Sequence, residues 1–380
     1  MIDLLNLTKT QMRELFESWG EPAYRAAQAD HWTYREFATS FGAMSNLPRS
    51  LRERLSESAR IGAPPAVTET SSADGLTRKA LLQLDDGQTI ETVLMLYPDA
   101  PGSPELEEPQ NAPRDFKRRT VCISTQVGCP IGCPFCATGQ AGYIRNLTPG
   151  EIVAQVLHFA RAASPVAHHH GANPVPRNAR CSLRNAASIT NVVIMGMGEP
   201  FMKFDVTWQA IETLTDAARF GMGARRITVS TSGEIPGIER LARETLQINL
   251  AVSLHAPDDE LRDVLVPLNR KYPLRDLMRA VRAYAEQTRR RVTFEYALMD
   301  GVNDKPEQAR ALAQMLRGLL CHVNLIPLNP TAASPYGRTP YEHVKAFEQI
   351  LRDSGIPTTL RVEKGIEIAA GCGQLRQANI

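Results

Sequence analysis

The chain is predicted to fold as an α/β protein: a partial barrel of six strand–helix units, preceded by a small helical module and a β-hairpin. The barrel rests on short apolar runs that recur from about residue 120. They lie at Thr120–Ser124, Asn191–Met195, Arg226–Ser230, Gln247–Ser253, Arg291–Ala297 and Val323–Ile326. Longer amphipathic segments, such as 149–163, 205–219 and 306–319, separate most of them. Strands alternating with helices form a parallel sheet covered by helices, and six such units suit an open or partial barrel.

The start of the chain follows a different period. Thr8-Lys9-Thr10-Gln11-Met12 opens one helix, with Leu15 and Phe16 on its apolar face. Pro22-Ala23-Tyr24-Arg25 opens a second, Tyr34-Arg35-Glu36-Phe37 a third and Leu47-Pro48-Arg49-Ser50 a fourth. Lys79–Leu84, a turn at Asp86-Gly87, and Thr89–Met95 then read as a β-hairpin. Pro98, Pro101, Pro104, Pro109 and Pro113, among acidic residues, mark a loop or linker. The expected divisions are 1–75 (small helical module), 76–114 (hairpin extension and Pro-rich linker), 115–361 (barrel core) and 362–380 (C-terminal segment carrying Cys372).

Composition bounds the class. The 380 residues are 43% hydrophobic and 22% charged, enough for a sizeable core and unlike a disordered or fibrous chain. No apolar run approaches the roughly 18 residues needed to span a bilayer. Met1-Ile2-Asp3-Leu4-Leu5 has neither the basic region nor the apolar stretch of a signal peptide, so a cytoplasmic location is expected. Forty-three basic against 41 acidic residues leave a net charge of +2, which neither implies nor excludes a nucleic-acid partner.

The seven cysteines are Cys122, Cys129, Cys133, Cys136, Cys181, Cys321 and Cys372. Their odd number and tight clustering argue against a disulfide scaffold. Cys129-Pro130-Ile131-Gly132-Cys133-Pro134-Phe135-Cys136 sets three thiols on one loop just past the first core strand. Three thiolates can hold three irons of a 4Fe–4S cluster, leaving the fourth open to bind and activate a small molecule. A structural zinc site is the alternative, but it wants four closed ligands, and no second Cys-x₂-Cys pair is present. Cys181 and Cys321 read as small core residues. The 164–190 insertion, with His168-His169-His170, reads as exposed and polar.

The Cys-x₃-Cys-x₂-Cys spacing at the top of the first barrel strand resembles the radical S-adenosylmethionine (SAM) superfamily. Val121-Cys122-Ile123-Ser124-Thr125-Gln126-Val127-Gly128-Cys129 and Phe135-Cys136-Ala137-Thr138-Gly139 resemble its RlmN/Cfr group of RNA adenine methyltransferases. So do Gly196-Met197-Gly198-Glu199-Pro200, Ser230-Thr231-Ser232-Gly233, Ser253-Leu254-His255-Ala256-Pro257 and Ala370-Gly371-Cys372-Gly373-Gln374-Leu375, in the family's order.

The resemblance implies a radical SAM barrel with one 4Fe–4S cluster on Cys129, Cys133 and Cys136. It implies SAM contacts at Gly198, Glu199, Ser230, Ser253, Leu254, His255 and Asn329, and two SAM molecules per turnover. Cys372 would carry a methyl group as S-methylcysteine. Cys122 would be the resolving thiol, forming a transient disulfide with Cys372. Glu91 would be the proton acceptor and would sit partly desolvated, although strand alternation alone makes it solvent-facing. The implied reaction is methylation of carbon 2 of adenine 2503 in 23S rRNA (usual RNA numbering), before ribosome assembly is complete, and of adenine 37 in tRNA. Cfr-type methylation of carbon 8 of the same rRNA adenine is the close alternative, and a non-enzymatic zinc RNA-binding module a distant one. A reducing partner such as flavodoxin and a monomeric state are also implied. Residues 1–75 fit the family's helical accessory domain and are an RNA-binding candidate; with Lys117-Arg118-Arg119, Arg225-Arg226 and Arg289-Arg290-Arg291 they are candidate phosphate contacts, with solvated faces as the plain alternative. Gly371 departs from the Ala of many relatives, which suggests a more flexible loop.

Overall fold

A computed structural model describes residues 1–98, 118–162, 189–331, 333–361 and 364–376. The linker from residue 99, Lys117, Cys181 and the histidine run lie outside the described residues.

Helices Lys9–Ser18, Ala23–Tyr34 and Arg49–Ser58 form the N-terminal module. Thr8 and Gln11 cap the first reciprocally, satisfying two N-terminal donors. Met12, Phe16, Leu51 and Leu55 meet in a core separate from the barrel's. A short parallel pair, β1 (Ile2–Asp3) with β2 (Ala59–Arg60), ties the two ends of the module together. The helix expected to start at Tyr34 is absent. The second helix instead runs to Tyr34, and Phe37 takes a φ of +57°, which breaks helical geometry. That bend brings the Phe37 ring to 6.4 Å from Phe220 of the barrel.

One sheet of ten strands organises the rest, in the order β14-β13-β12-β11-β10-β9-β6-β5-β4-β3. These are β3 (Ala66–Ser71), β4 (Thr77–Gln83), β5 (Thr89–Tyr97), β6 (Arg118–Cys122), β9 (Asn191–Ile194), β10 (Ile227–Thr231), β11 (Asn249–Ser253), β12 (Val292–Leu298), β13 (Cys321–Pro327) and β14 (Thr358–Leu360). The remaining two, β7 (Gln126–Gly128) and β8 (Tyr143–Asn146), form a separate antiparallel ribbon.

From β6 to β14 every neighbour pairs in parallel and follows in chain order. All six expected core strands are present. A seventh, β14, has only three residues, too few to show a pattern. The hairpin extends the same sheet antiparallel through β5. Its outer neighbour β3, Ala66-Val67-Thr68-Glu69-Thr70-Ser71, is exposed along its whole length and is held by backbone pairing, so no apolar alternation announced it. The sheet ends at β3 on one side and β14 on the other, so the barrel is incomplete.

A buried ion pair fastens the helical module to the barrel. Arg219 Nε donates to Asp30 Oδ2 at 3.2 Å and Nη1 to the Leu7 carbonyl at 2.9 Å, with the guanidinium 5.2 Å from the Tyr34 ring centroid. The two charged side chains are 2% and 6% exposed. Removing one partner would strand the other's charge away from water, at a cost of about 3–5 kcal/mol. Asp30→Ala is therefore expected to lower the urea midpoint sharply. Glu53→Ala, which breaks the exposed Arg49–Glu53 pair, should move it by less than about 1 kcal/mol equivalent.

Candidate active site

The cysteine loop leaves the barrel just after β6. The β7–β8 ribbon pinches its base, and the Cys129 amide donates to the Gly142 carbonyl at 2.7 Å. Ile131 and Phe135 of the loop pack against Leu265, Val266, Met299 and Leu328, with Cys129, Cys133 and Cys136 beside them. Burial pushes the Cys129 thiol up to about 12 and the Cys133 thiol well above its ordinary value. A bare thiolate is therefore disfavoured here. The Ile131 and Gly132 amides nonetheless donate to the Cys129 sulfur. Three converging sulfurs in an apolar wall, one already an acceptor, suit an iron–sulfur cluster whose metal charge offsets the burial of thiolates.

One cavity joins this loop to the strand ends. Cys129, Cys133 and Cys136 line it together with Gly198, Glu199, Ser230, Ser253, His255 and Asn329. Residues from β5, β6 and β9 through β13 line the same space, so the sheet curves around it. Gly198 has a φ of +105°, and a Cβ there would meet the Gln126 side chain at 2.6 Å. Glu199 is 2% exposed. Its Oε2 accepts from the Ser232 amide at 2.6 Å and its Oε1 from the Phe201 amide at 3.2 Å. Burial raises its pKa against those hydrogen bonds. Ser230 and Ser253 hydroxyls lie 3.4 Å apart on adjacent strands. Asn329 is 4% exposed with an unpartnered Oδ1, an orphaned acceptor at the cavity wall that suits a bound donor.

His255 sits at φ +60°, its Nδ1 accepting from the Ala297 amide at 3.0 Å. Burial and the nearby Arg262 cation push its imidazole down to about 3, so it is a neutral ring with Nε2 protonated. Leu254 does not line the cavity. Its side chain is in the core, and its carbonyl accepts from Arg262 Nε at 3.1 Å. Fully buried Arg262 also donates to the Ser232 and Ser253 carbonyls at 2.7 and 3.1 Å. One guanidinium thus ties the ends of β10 and β11.

The C-terminal segment reaches into the same cavity. Cys372 and, from the end of β6, Cys122 both line it. Cys372 is surrounded by protein but exposed through the open cavity, whereas Cys122 is half-buried. Burial, reinforced by the Cys372 thiol, pushes Cys122 up to about 12. Burial raises Cys372 too, and the Arg361 cation opposes both shifts. Arg361 Nη1 lies 3.8 Å from Oε2 of buried Glu295, whose Oε1 accepts from Asn324 at 2.9 Å. A Cβ on Gly371 would fall 2.6 Å from Asn329 Nδ2 and 2.8 Å from Gln374 Oε1. The glycine therefore makes room for the Asn329 amide, a steric reason beside the expected flexibility.

Glu91 is buried at 6%, not solvent-facing, because the segment carrying Cys372 covers its face of β5. It does not line the cavity. Its Oε1 pairs with Lys79 Nζ at 2.9 Å and its Oε2 accepts from the Arg376 amide at 2.8 Å. Of the basic stretches, Arg118 is exposed and Arg119 buried. Arg225-Arg226 and Arg289-Arg290-Arg291 precede β10 and β12, at the strand ends opposite Ser230, Ser253 and His255. Sequence reasoning missed Arg262, Glu295 and Arg361. Only Glu295 left a trace, as a charge inside the apolar run Val292–Leu298.

The ribosomal RNA large subunit methyltransferase N-terminal domain family matches residues 2–61, and the radical SAM superfamily matches residues 175–313. The probable dual-specificity RNA methyltransferase RlmN of Chloroflexus aurantiacus is 48% identical over 378 residues, covering 98% of this chain and 92% of that protein. The Roseiflexus sp. protein of the same description is 46% identical, with 99% and 96% covered. The crystal structure of a radical SAM methyltransferase from Sphaerobacter thermophilus superimposes with a TM-score of 0.86, at 49% identity over 99% of both chains. With likeness of that extent, and three cysteines converging on the cavity that holds the strand-end residues, the chain belongs to the RlmN family of radical SAM RNA methyltransferases.

Proposed function

We propose that this enzyme methylates carbon 2 of adenine 2503 in 23S rRNA and of adenine 37 in tRNA, through a methyl group carried on Cys372. The observation that best supports this is the meeting of Cys122 and Cys372 in one cavity beside Arg361, next to the three-cysteine loop. The electron-poor ring carbon is no nucleophile, so a direct methyl displacement would fail and a carried, activated carbon is needed. Cys129, Cys133 and Cys136 would hold the cluster. Gly198, Glu199, Ser230, Ser253, His255 and Asn329 would bind SAM, two molecules per turnover, and Leu254 would contribute through its backbone. When bound, the cluster and SAM would supply the one-electron chemistry that activates the methyl group carried on Cys372.

The protein's own residues then divide the work. Cys372 presents the methylene carbon to an adenine that has left its stack. After addition, the ring radical would lose one electron to an oxidised iron–sulfur or flavin carrier and its proton to Glu91. The Cys122 thiolate attacks the Cys372 sulfur. The S–S bond forms, the S–CH₂ bond breaks, and its electron pair stays on carbon, which takes up a proton to become methyl. Arg361 favours the thiolate at both sulfurs.

Nucleosides from rRNA and tRNA of a host lacking this activity, complemented with the gene, provide the test by mass spectrometry. 2-Methyladenosine is expected in both RNAs. 8-Methyladenosine, or neither product, would overturn the proposal. Anaerobically purified protein should be brown with about four irons per chain. Joint replacement of Cys129, Cys133 and Cys136 by Ala should remove both colour and iron. The two other cysteines should fail differently. Cys122→Ala should accumulate RNA joined covalently to Cys372, visible on a denaturing gel, while Cys372→Ala should form no adduct because nothing carries the methyl group. A merely structural role for both would give similar destabilisation and no trapped RNA.

A further inference from the structure

Lys79 is a half-buried cation with two partners, and neither its sequence context nor the proposed chemistry gives it a task. It lies on β4 opposite Val93 of β5, while Leu81 lies opposite Glu91. Lys79 and Glu91 are thus diagonal neighbours on one sheet face, close enough for long side chains to meet. That face also presents Met95, which lines the cavity. Lys79 Nζ reaches Glu91 Oε1 at 2.9 Å and donates to the Ala369 carbonyl at 3.2 Å. Its side chain is 15% exposed and that of Glu91 8%.

The second oxygen of Glu91 accepts from the Arg376 amide at 2.8 Å. Ala369 and Arg376 flank Cys372 on either side. The carboxylate and the ammonium together therefore grip both ends of the short segment that carries the sulfur. A lysine present only to neutralise Glu91 would have no need of the Ala369 carbonyl.

We propose that Lys79 is a positioning residue for the late proton transfer: it aims the Glu91 carboxylate and fixes it relative to the Cys372 segment. This rests on the reading of Glu91 as base and Cys372 as methyl carrier. In that step the C–H bond at the target ring carbon of the oxidised adduct breaks, its pair stays in the ring and the proton passes to Glu91. Methyl loading on Cys372 precedes this step and does not use Glu91. Loss of Lys79 therefore slows resolution of the adduct and spares loading. A misplacement of about 1 Å at a reacting group can cost on the order of 100-fold.

The test uses cluster-loaded enzyme purified anaerobically from cells, comparing wild type, Lys79→Met, Lys79→Gln, Lys79→Arg, Glu91→Gln and Cys122→Ala. Two quantities are read: methyl occupancy of the Cys372 peptide by mass spectrometry, and covalent protein–RNA adduct on a denaturing gel with its rate of decay. Lys79→Met and Lys79→Gln are expected to keep methyl occupancy within about twofold of wild type. Their adduct should decay roughly 10- to 100-fold more slowly, as in Glu91→Gln, with Lys79→Arg restoring part of the rate. Adduct decay at the wild-type rate in Lys79→Met and Lys79→Gln would overturn the proposal. So would a parallel fall in occupancy and adduct that tracks the urea midpoint across the three lysine variants, since that is the signature of a purely structural residue. Absence of adduct in Cys122→Ala would instead overturn the carrier reading beneath it.

Discussion

The centre of this molecule depends on a C-terminal segment laid across the open side of an incomplete barrel. The parallel sheet stops at β14, and the antiparallel extension through β5 and β4 stands on the far side of β6. Residues 361 and 364–376 bridge the two. The Arg361 amide bonds to Leu325 of β13, Lys79 of β4 reaches Ala369, and Glu91 of β5 accepts from Arg376. The segment also touches the cysteine loop, where the Ala137 amide donates to the Gly373 carbonyl at 2.8 Å and Thr138 Oγ1 to the Leu375 carbonyl at 2.6 Å. Each neutral bond contributes only about 0.5–1.5 kcal/mol net. Together they hold the segment in place.

Burial sets the electrostatic character of the site. Cys122, Cys129, Cys133 and Cys372 all favour the neutral thiol over the charged form. What opposes burial differs between the two groups. For the loop cysteines, the donor set suits metal ligation. For Cys122 and Cys372, the opposing influence is Arg361, which Glu295 accompanies at the cavity wall. His255 shows the same physics with the opposite sign, since burial beside Arg262 removes its charge. A neutral ring that donates only through Nε2 can orient a ligand without repelling a sulfonium cation.

Arg262 and the Asp30–Arg219 pair show how rigidity is distributed. Arg262 satisfies three carbonyls at the strand ends, so the turns that carry Ser232, Ser253 and His255 share one buried anchor. Asp30–Arg219 does the same for the helical module, whose own core is separate from the barrel's. Leu5, Tyr34 and Phe37 of the module also pack against the barrel's core, so apolar contact and the buried pair together fix its orientation.

Much of this was legible in the sequence. The strand–helix alternation, the hairpin and the cysteine spacing are local patterns, and local patterns survive in one dimension. The ordered set of short motifs carried the family. What stayed hidden depends on contacts between distant residues or on elements too short to show a period. β14 has three residues and β3 has no apolar face. Glu91 reads as solvent-facing until residues 369–376, almost 300 positions later, cover it. Arg361 and Arg262 look like ordinary surface charges, because a charged residue is expected outside unless something pairs with it, and their partners come from other strands. The chain alone determined which chemistry its residues can perform. Only the tertiary structure decided which of them share a cavity, because burial and pairing are properties of the assembled fold and of no single segment.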